Sequence, residues 1–98
     1  MTKIEHLYVK LMEECAEVQQ RASKLMQFTA GEKEPGQDKT NTERLMLEIY
    51  DLMAVIALMD VYGLITLAEA DLKAHYTAKW QKIEKYLAYS QELGTVEK

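Results

Sequence analysis

From Ile4 to Phe28, apolar side chains recur at Ile4, Leu7, Tyr8, Leu11, Cys15, Val18, Ala22, Leu25 and Met26. Spacings of three and four residues put them on one side of a helix. Neither proline nor glycine interrupts the run, and Gly31 follows it. In this frame His6 falls on the polar face, and Cys15 packs in the stripe as a small hydrophobe rather than a nucleophile.

Periodicity then stops. Residues 29–41 hold two of the four glycines and the only proline, and they predict a solvated loop. Loops of this length in compact domains are often lids or binding loops. Thr40, with Glu43 three residues on, has the form of a capping box and announces the next helix.

That second helix, from about Thr42 to Tyr62, stops at Gly63. Of the eighteen residues from Leu45 to Tyr62, only Glu48, Asp51 and Asp60 are polar. A membrane span needs roughly twenty apolar residues and rarely carries two carboxylates, so the pattern predicts a helix covered by protein on every side. Two other helices of a chain this short cannot supply that cover. A second copy is therefore expected, as a homodimer or homotetramer whose subunits complete a four-helix-type bundle.

Thr66-x-x-Glu69 suggests a cap for a third helix, with Leu72, Tyr76, Trp80, Ile83 and Leu87 as its apolar stripe. The helix runs to about Leu93, and Gly94 releases a short tail over 94–98. No repeat appears and no strand is required, so the expectation is a single all-α domain over 1–98.

Composition narrows the function. The 98 residues carry 12 Lys+Arg against 16 Asp+Glu, a formal charge of −4. No basic excess exists to neutralise a nucleic-acid polymer. The N-terminal residues lack the apolar core of a signal peptide. The single cysteine makes no internal disulfide and suits a reducing, cytoplasmic setting.

Glu48 and Asp51 resist a purely structural account. Three apart on one helical face, they stand close and repel, and a buried carboxylate must be paired, protonated or metal-bound. Arg44, one turn before Glu48, offers a salt bridge, but it is one cation for two anions. On the first helix, Glu13, Glu14 and Glu17 form E-E-x-x-E, with Glu14 at the border of the apolar stripe. Glu13 and Glu17 point largely away from that stripe. Two antiparallel helices bearing E-x-x-E and E-x-x-D can gather four carboxylates around hard cations, which suits Mg²⁺ or Mn²⁺ and not zinc. A di-iron site would need Glu-x-x-His, and neither His6 nor His75 has a glutamate three residues before it. On the third helix His75, Lys79, Lys82 and Tyr86 form a row along one flank. Those lysines serve either as solubility charges or as cations for a phosphate chain.

These residues carry a resemblance. Glu13-Glu14-x-x-Glu17 followed by Glu48-x-x-Asp51 resembles the signature of the MazG-like all-α nucleoside triphosphate pyrophosphohydrolases. The flanks Cys15-Ala16-Glu17-Val18, Ser23-Lys24 and Phe28 look like the first helix of small phage and bacterial members. Glu43-Arg44-Leu45 and Lys82-Ile83-Glu84-Lys85-Tyr86-Leu87 with Ser90 are similar to their later helices. Thirty residues separate Glu17 from Glu48, long for the family, and the family's Asn-x-x-Lys-type phosphate motif is not cleanly present.

The resemblance implies Mg²⁺-dependent hydrolysis of a nucleoside or deoxynucleoside triphosphate to the monophosphate and pyrophosphate. By that analogy Glu14, Glu17, Glu48 and Asp51 would bind metal. Glu13 would join them as a ligand or by positioning the attacking water. Arg44, Lys24, Lys79 and Lys82 would contact phosphate. The competing expectation is a catalytically silent helical dimer that binds a nucleotide or another protein as a regulator or adaptor.

Overall fold

The computed structural model describes all residues 1–98 and is all-α. Its helices are α1 (Lys3–Phe28), α2 (Asn41–Val61) and α3 (Glu69–Leu93). The chain divides into two compact units, Met1–Ile65 and Thr66–Lys98. No helix is long and apolar enough to cross a membrane.

Within the first unit, α1 and α2 form a hairpin. α1 opens with a capping box that the hydrophobic pattern did not reveal. The Glu5 amide donates to Thr2 Oγ1 at 3.1 Å, and the Thr2 amide donates to Glu5 Oε2 at 3.2 Å. Its end is abrupt, because Thr29 takes φ 73° and ψ 162°, a backbone region that glycine adopts far more readily than threonine. The Thr40–Glu43 capping box of α2 forms as expected, with both reciprocal bonds at 3.1 Å. At the far end, Gly63 at φ 74° turns the chain, and the Leu64 amide closes back on the Met59 carbonyl at 2.9 Å. Left-handed geometry of this kind is the usual reason for glycine just past a helix.

The two helices run antiparallel. Asn41, at the start of α2, meets the end of α1 through the Thr29 carbonyl. At the other end, His6 and Leu7 share a groove with Leu58 and Tyr62. Leu7 and Met59 are the buried apolar residues, 9% and 2% exposed. Between these ends Leu11, Val18 and Leu25 of α1 and Leu45, Ile49, Leu52, Val55 and Ile56 of α2 are half-buried. One helix against another can cover only one stripe of each. Met46, Leu47, Tyr50, Met53, Leu58 and Val61 of α2 are accordingly exposed in the single chain. Cys15, expected to pack in the stripe, is exposed; it lies on the side of the stripe that carries Tyr8 and Met26, which the hairpin also leaves exposed.

The loop over 29–40 is stitched to the start of α2. The Asn41 amide donates to the Glu32 carbonyl at 3.1 Å and the Thr42 amide to the Ala30 carbonyl at 3.2 Å. Asn41 is itself buried, and its Nδ2 donates to the Thr29 carbonyl at 2.8 Å and to Glu32 Oε1 at 3.1 Å. A segment without periodicity is thus folded by hydrogen bonds, for which hydrophobic spacing gives no signal.

In the second unit, α3 begins two residues later than a Thr66 cap would place it. Ala68 is the N-cap and provides no side-chain hydrogen bond; Glu69 and Asp71 instead put negative charge at the helix's positive end. The helix stops at Gly94, φ 80°, whose amide donates to the Gln91 carbonyl at 3.1 Å. No residue of α3 is buried.

Candidate functional site

On α1, Glu14, Glu17, Arg21, Lys24 and Phe28 step by three, four, three and four, which lines them along one face. On α2 the same steps run through Asn41, Arg44, Glu48 and Asp51. Because the helices are antiparallel, these rows meet with carboxylates opposite carboxylates and cations opposite cations. Two tiers result, one turn apart.

The carboxylate tier is Glu14, Glu17 and Glu48. Each offers an oxygen, and these oxygens all lie within 4.8 Å of one another. Glu17 is exposed, while Glu14 and Glu48 are half-buried. Glu14 Oε2 and Glu48 Oε2 are shut off from solvent and have no hydrogen-bond partner. An unpaired, desolvated carboxylate oxygen is costly. The titration of these groups reports the same conflict. The Glu14 carboxyl is raised above its ordinary value, first by desolvation and then by the Glu17 and Asp51 charges. Glu48 is raised first by the Glu17 carboxyl within hydrogen-bonding reach, then by desolvation and by the charges of Glu17, Asp51 and Glu14.

Asp51 is exposed and close enough for its charge to act on both Glu14 and Glu48. Glu13 lies elsewhere, paired with Lys10 Nζ at 3.0 Å on the exposed side of α1. Glu17, expected to point largely away from the apolar stripe, nevertheless reaches the group, because its side chain sits one turn above Glu14 on the face turned to Glu48.

The cation tier departs from expectation in one contact. Arg44, four residues before Glu48, does not neutralise it; Arg44 Nη1 donates to Glu34 Oε2 of the loop at 2.7 Å. Lys24 sits over the Phe28 ring, 5.6 Å from its centroid, a cation–π distance. Arg21 had no place among the candidates read from the sequence. It joins Lys24, Phe28, Glu32, Glu34, Pro35 and Asn41 in lining a cleft of about 260 Å³. Its spacing of four from Glu17 was the available signal. In the second unit, His75, Ala78, Lys79 and Lys82 line a shallow groove of their own, which takes in three members of the expected row and not Tyr86.

The donor set fits a hard divalent cation. All of its ligand atoms are carboxylate oxygens, two of them lack any protein partner, and their mutual repulsion is what a bound cation relieves. No family model, curated protein or solved structure matches the chain.

Proposed function

We propose that this protein is a MazG-like nucleoside triphosphate pyrophosphohydrolase. It cleaves the α–β anhydride of a ribo- or deoxynucleoside triphosphate with water, giving the monophosphate and pyrophosphate. The single observation that supports this is the pair of shielded, unpartnered oxygens, Glu14 Oε2 and Glu48 Oε2, on two carboxylates that the helices bring into one group.

Glu14, Glu17 and Glu48 would hold Mg²⁺ or Mn²⁺, with Asp51 beside them. When bound, the ion supplies Lewis acidity for the nucleophile and neutralises charge on the departing pyrophosphate. The remaining work falls to the chain. Arg44, one turn from Glu48, and Lys24, two turns from Glu17, hold phosphate oxygens, and a planar guanidinium suits two of them at once. By the family resemblance Lys79 and Lys82 add further cations. Glu13, engaged by Lys10, is left out of the ligand set in this mechanism.

A second copy of the chain completes the protein. The exposed apolar residues of α2, and the wholly unburied stripe of α3, are what a homodimer or homotetramer would cover.

Pyrophosphate release from a panel of ribo- and deoxynucleoside triphosphates with Mg²⁺, beside the Glu48→Ala protein, tests the activity. Release lost in a variant with native circular dichroism supports the enzyme. No release from any nucleotide, with Mg²⁺ or Mn²⁺, sinks it and leaves a nucleotide- or protein-binding adaptor.

A further inference from the structure

The cleft between the second half of α1 and the loop has an unusual charge arrangement. Glu34, an exposed loop residue, extends its carboxylate to Arg44 Nη1 at 2.7 Å. The charges of Arg21 and Lys24 act on the same carboxylate and, with Arg44, hold it below its ordinary titration range. Arg21 lines the cleft, yet its Nη1 is shut off from solvent with no hydrogen-bond partner. Lys24 lines it too. The other lining carboxylate, Glu32, is occupied, since its Oε1 accepts from Asn41. Three cations therefore converge on one acid, and one guanidinium donor remains unused.

At about 260 Å³ the cleft falls just below the roughly 300 Å³ at which small-molecule sites begin. That space suits a small anionic group rather than a whole nucleotide. Glu17 to Arg21 and Arg44 to Glu48 are each one helical turn, about 6 Å of rise. An anion in the cleft thus lies about one turn from the carboxylates.

We infer that this cleft, lined by Arg21 and Lys24 and joined to Arg44 through Glu34, is a diphosphate subsite in which Glu34 is a built-in stand-in for phosphate that the incoming anion displaces. The choice of diphosphate rests on the nucleotide-hydrolysing function above. A phosphate oxygen taking Arg44 and the idle Arg21 Nη1 exchanges one carboxylate for two charge-assisted contacts. Displacing Glu34 also removes the ion pair between the loop and α2, so anion arrival and loop release are linked.

Inorganic pyrophosphate, titrated calorimetrically into the full chain in EDTA, tests this without hydrolysis or metal. Wild type should bind; Arg21→Gln should weaken binding tenfold or more, Arg21→Lys should restore part of it, and Glu34→Gln should tighten it several-fold. Circular dichroism of each variant separates these effects from unfolding. No binding by wild type, equal binding by a folded Arg21→Gln, or no tightening in Glu34→Gln overturns the inference. A protein that hydrolyses no nucleotide but binds pyrophosphate through Arg21 loses the enzyme reading and keeps the subsite. A protein that hydrolyses nucleotides while its pyrophosphate binding ignores Arg21 does the reverse.

Discussion

Arg44 meets Glu34 of the loop at 2.7 Å instead of Glu48, one turn along its own helix. Arg44 is thereby spent on the loop, and Glu48 faces Glu14 and Glu17 without it. An added divalent ion should therefore act as a folding ligand. At an ion concentration about tenfold above the dissociation constant, the melting temperature at neutral pH should rise by roughly 6–11 °C for a chain of this size. Glu48→Gln should abolish the response. Differential scanning calorimetry with and without Mg²⁺ measures it, and equal melting in both buffers removes the metal site.

The two acidic motifs should not behave alike under substitution. Glu48→Gln and Asp51→Asn remove charge from the carboxylates gathered around Glu14, and each should lower kcat/KM by about 100-fold or more, the scale on which losing a positioned electrostatic group acts. Glu13→Gln loses its exposed pair with Lys10 and the smallest of the charges acting on Glu14, and surface pairs contribute little. Its kcat/KM should stay within a few-fold of wild type. Steady-state pyrophosphate release across the three variants decides this, and a Glu13→Gln protein as inactive as Glu48→Gln would return Glu13 to the catalytic set.

Acid and base should destabilise the metal-free protein through different glutamates. Glu14 and Glu48 are raised in the folded state, so the native chain holds their protons more tightly than the unfolded one. Their contribution is full below the ordinary value of 4.5 and is lost as pH rises through their folded values. Glu34 and Glu43 are lowered, chiefly by the Arg44 hydrogen bond and by the Thr40 cap respectively. Their contribution is present above 4.5 and is lost as pH falls through the folded values. Urea unfolding in EDTA should show stability declining from mildly acidic to neutral pH, and Glu48→Gln should flatten that decline. An unchanged slope in the variant would mean that the carboxylates do not repel in solution.

Asn41 is 3% exposed and ties the loop to α2 through Thr29 and Glu32. Asn41→Ala leaves the Thr29 carbonyl without this donor, a change of about 1–3 kcal/mol when such a group stays buried. Urea unfolding should show a loss in that range. Because Asn41 also lines the cleft, pyrophosphate affinity should fall with it. A loss below about 0.5 kcal/mol, the scale of ordinary surface substitutions, would show the loop independent of this anchor.

The helices were legible because their signals are local. Apolar spacing found α1 and α2 to within a residue or two, and Thr40 with Glu43 located the start of α2. The acids Glu14, Glu17 and Glu48 were visible as spaced pairs on two helices joined by a single loop. What spacing could not show is the choice a long side chain makes among partners. Arg44 had Glu48 within helical reach and took Glu34, ten residues back in a segment with no periodicity. Arg21 offers only its step of four from Glu17 as a signal, and the isolation of its Nη1 emerges only in the folded chain, where it shares a cleft with the loop. The Thr66 cap failed for a related reason: a threonine–glutamate spacing permits a capping box, but the backbone at 66–68 must also turn there, and it does not.

Trp80 is 74% exposed in the single chain, at the centre of a stripe with Leu72, Tyr76, Ile83 and Leu87, none of which is buried. Large exposed aromatic side chains of this kind are the ones that association buries. As the only tryptophan, it reports on its surroundings alone. If a second copy covers α3, emission should lie to the blue of a solvated indole at micromolar protein and move red on dilution as the assembly separates. Sedimentation velocity should give a dimer or larger species, and Trp80→Glu should shift it toward monomer while circular dichroism keeps the helices. A monomer at every concentration, with red-shifted emission throughout, would leave α3 to a different partner and remove the self-assembled bundle.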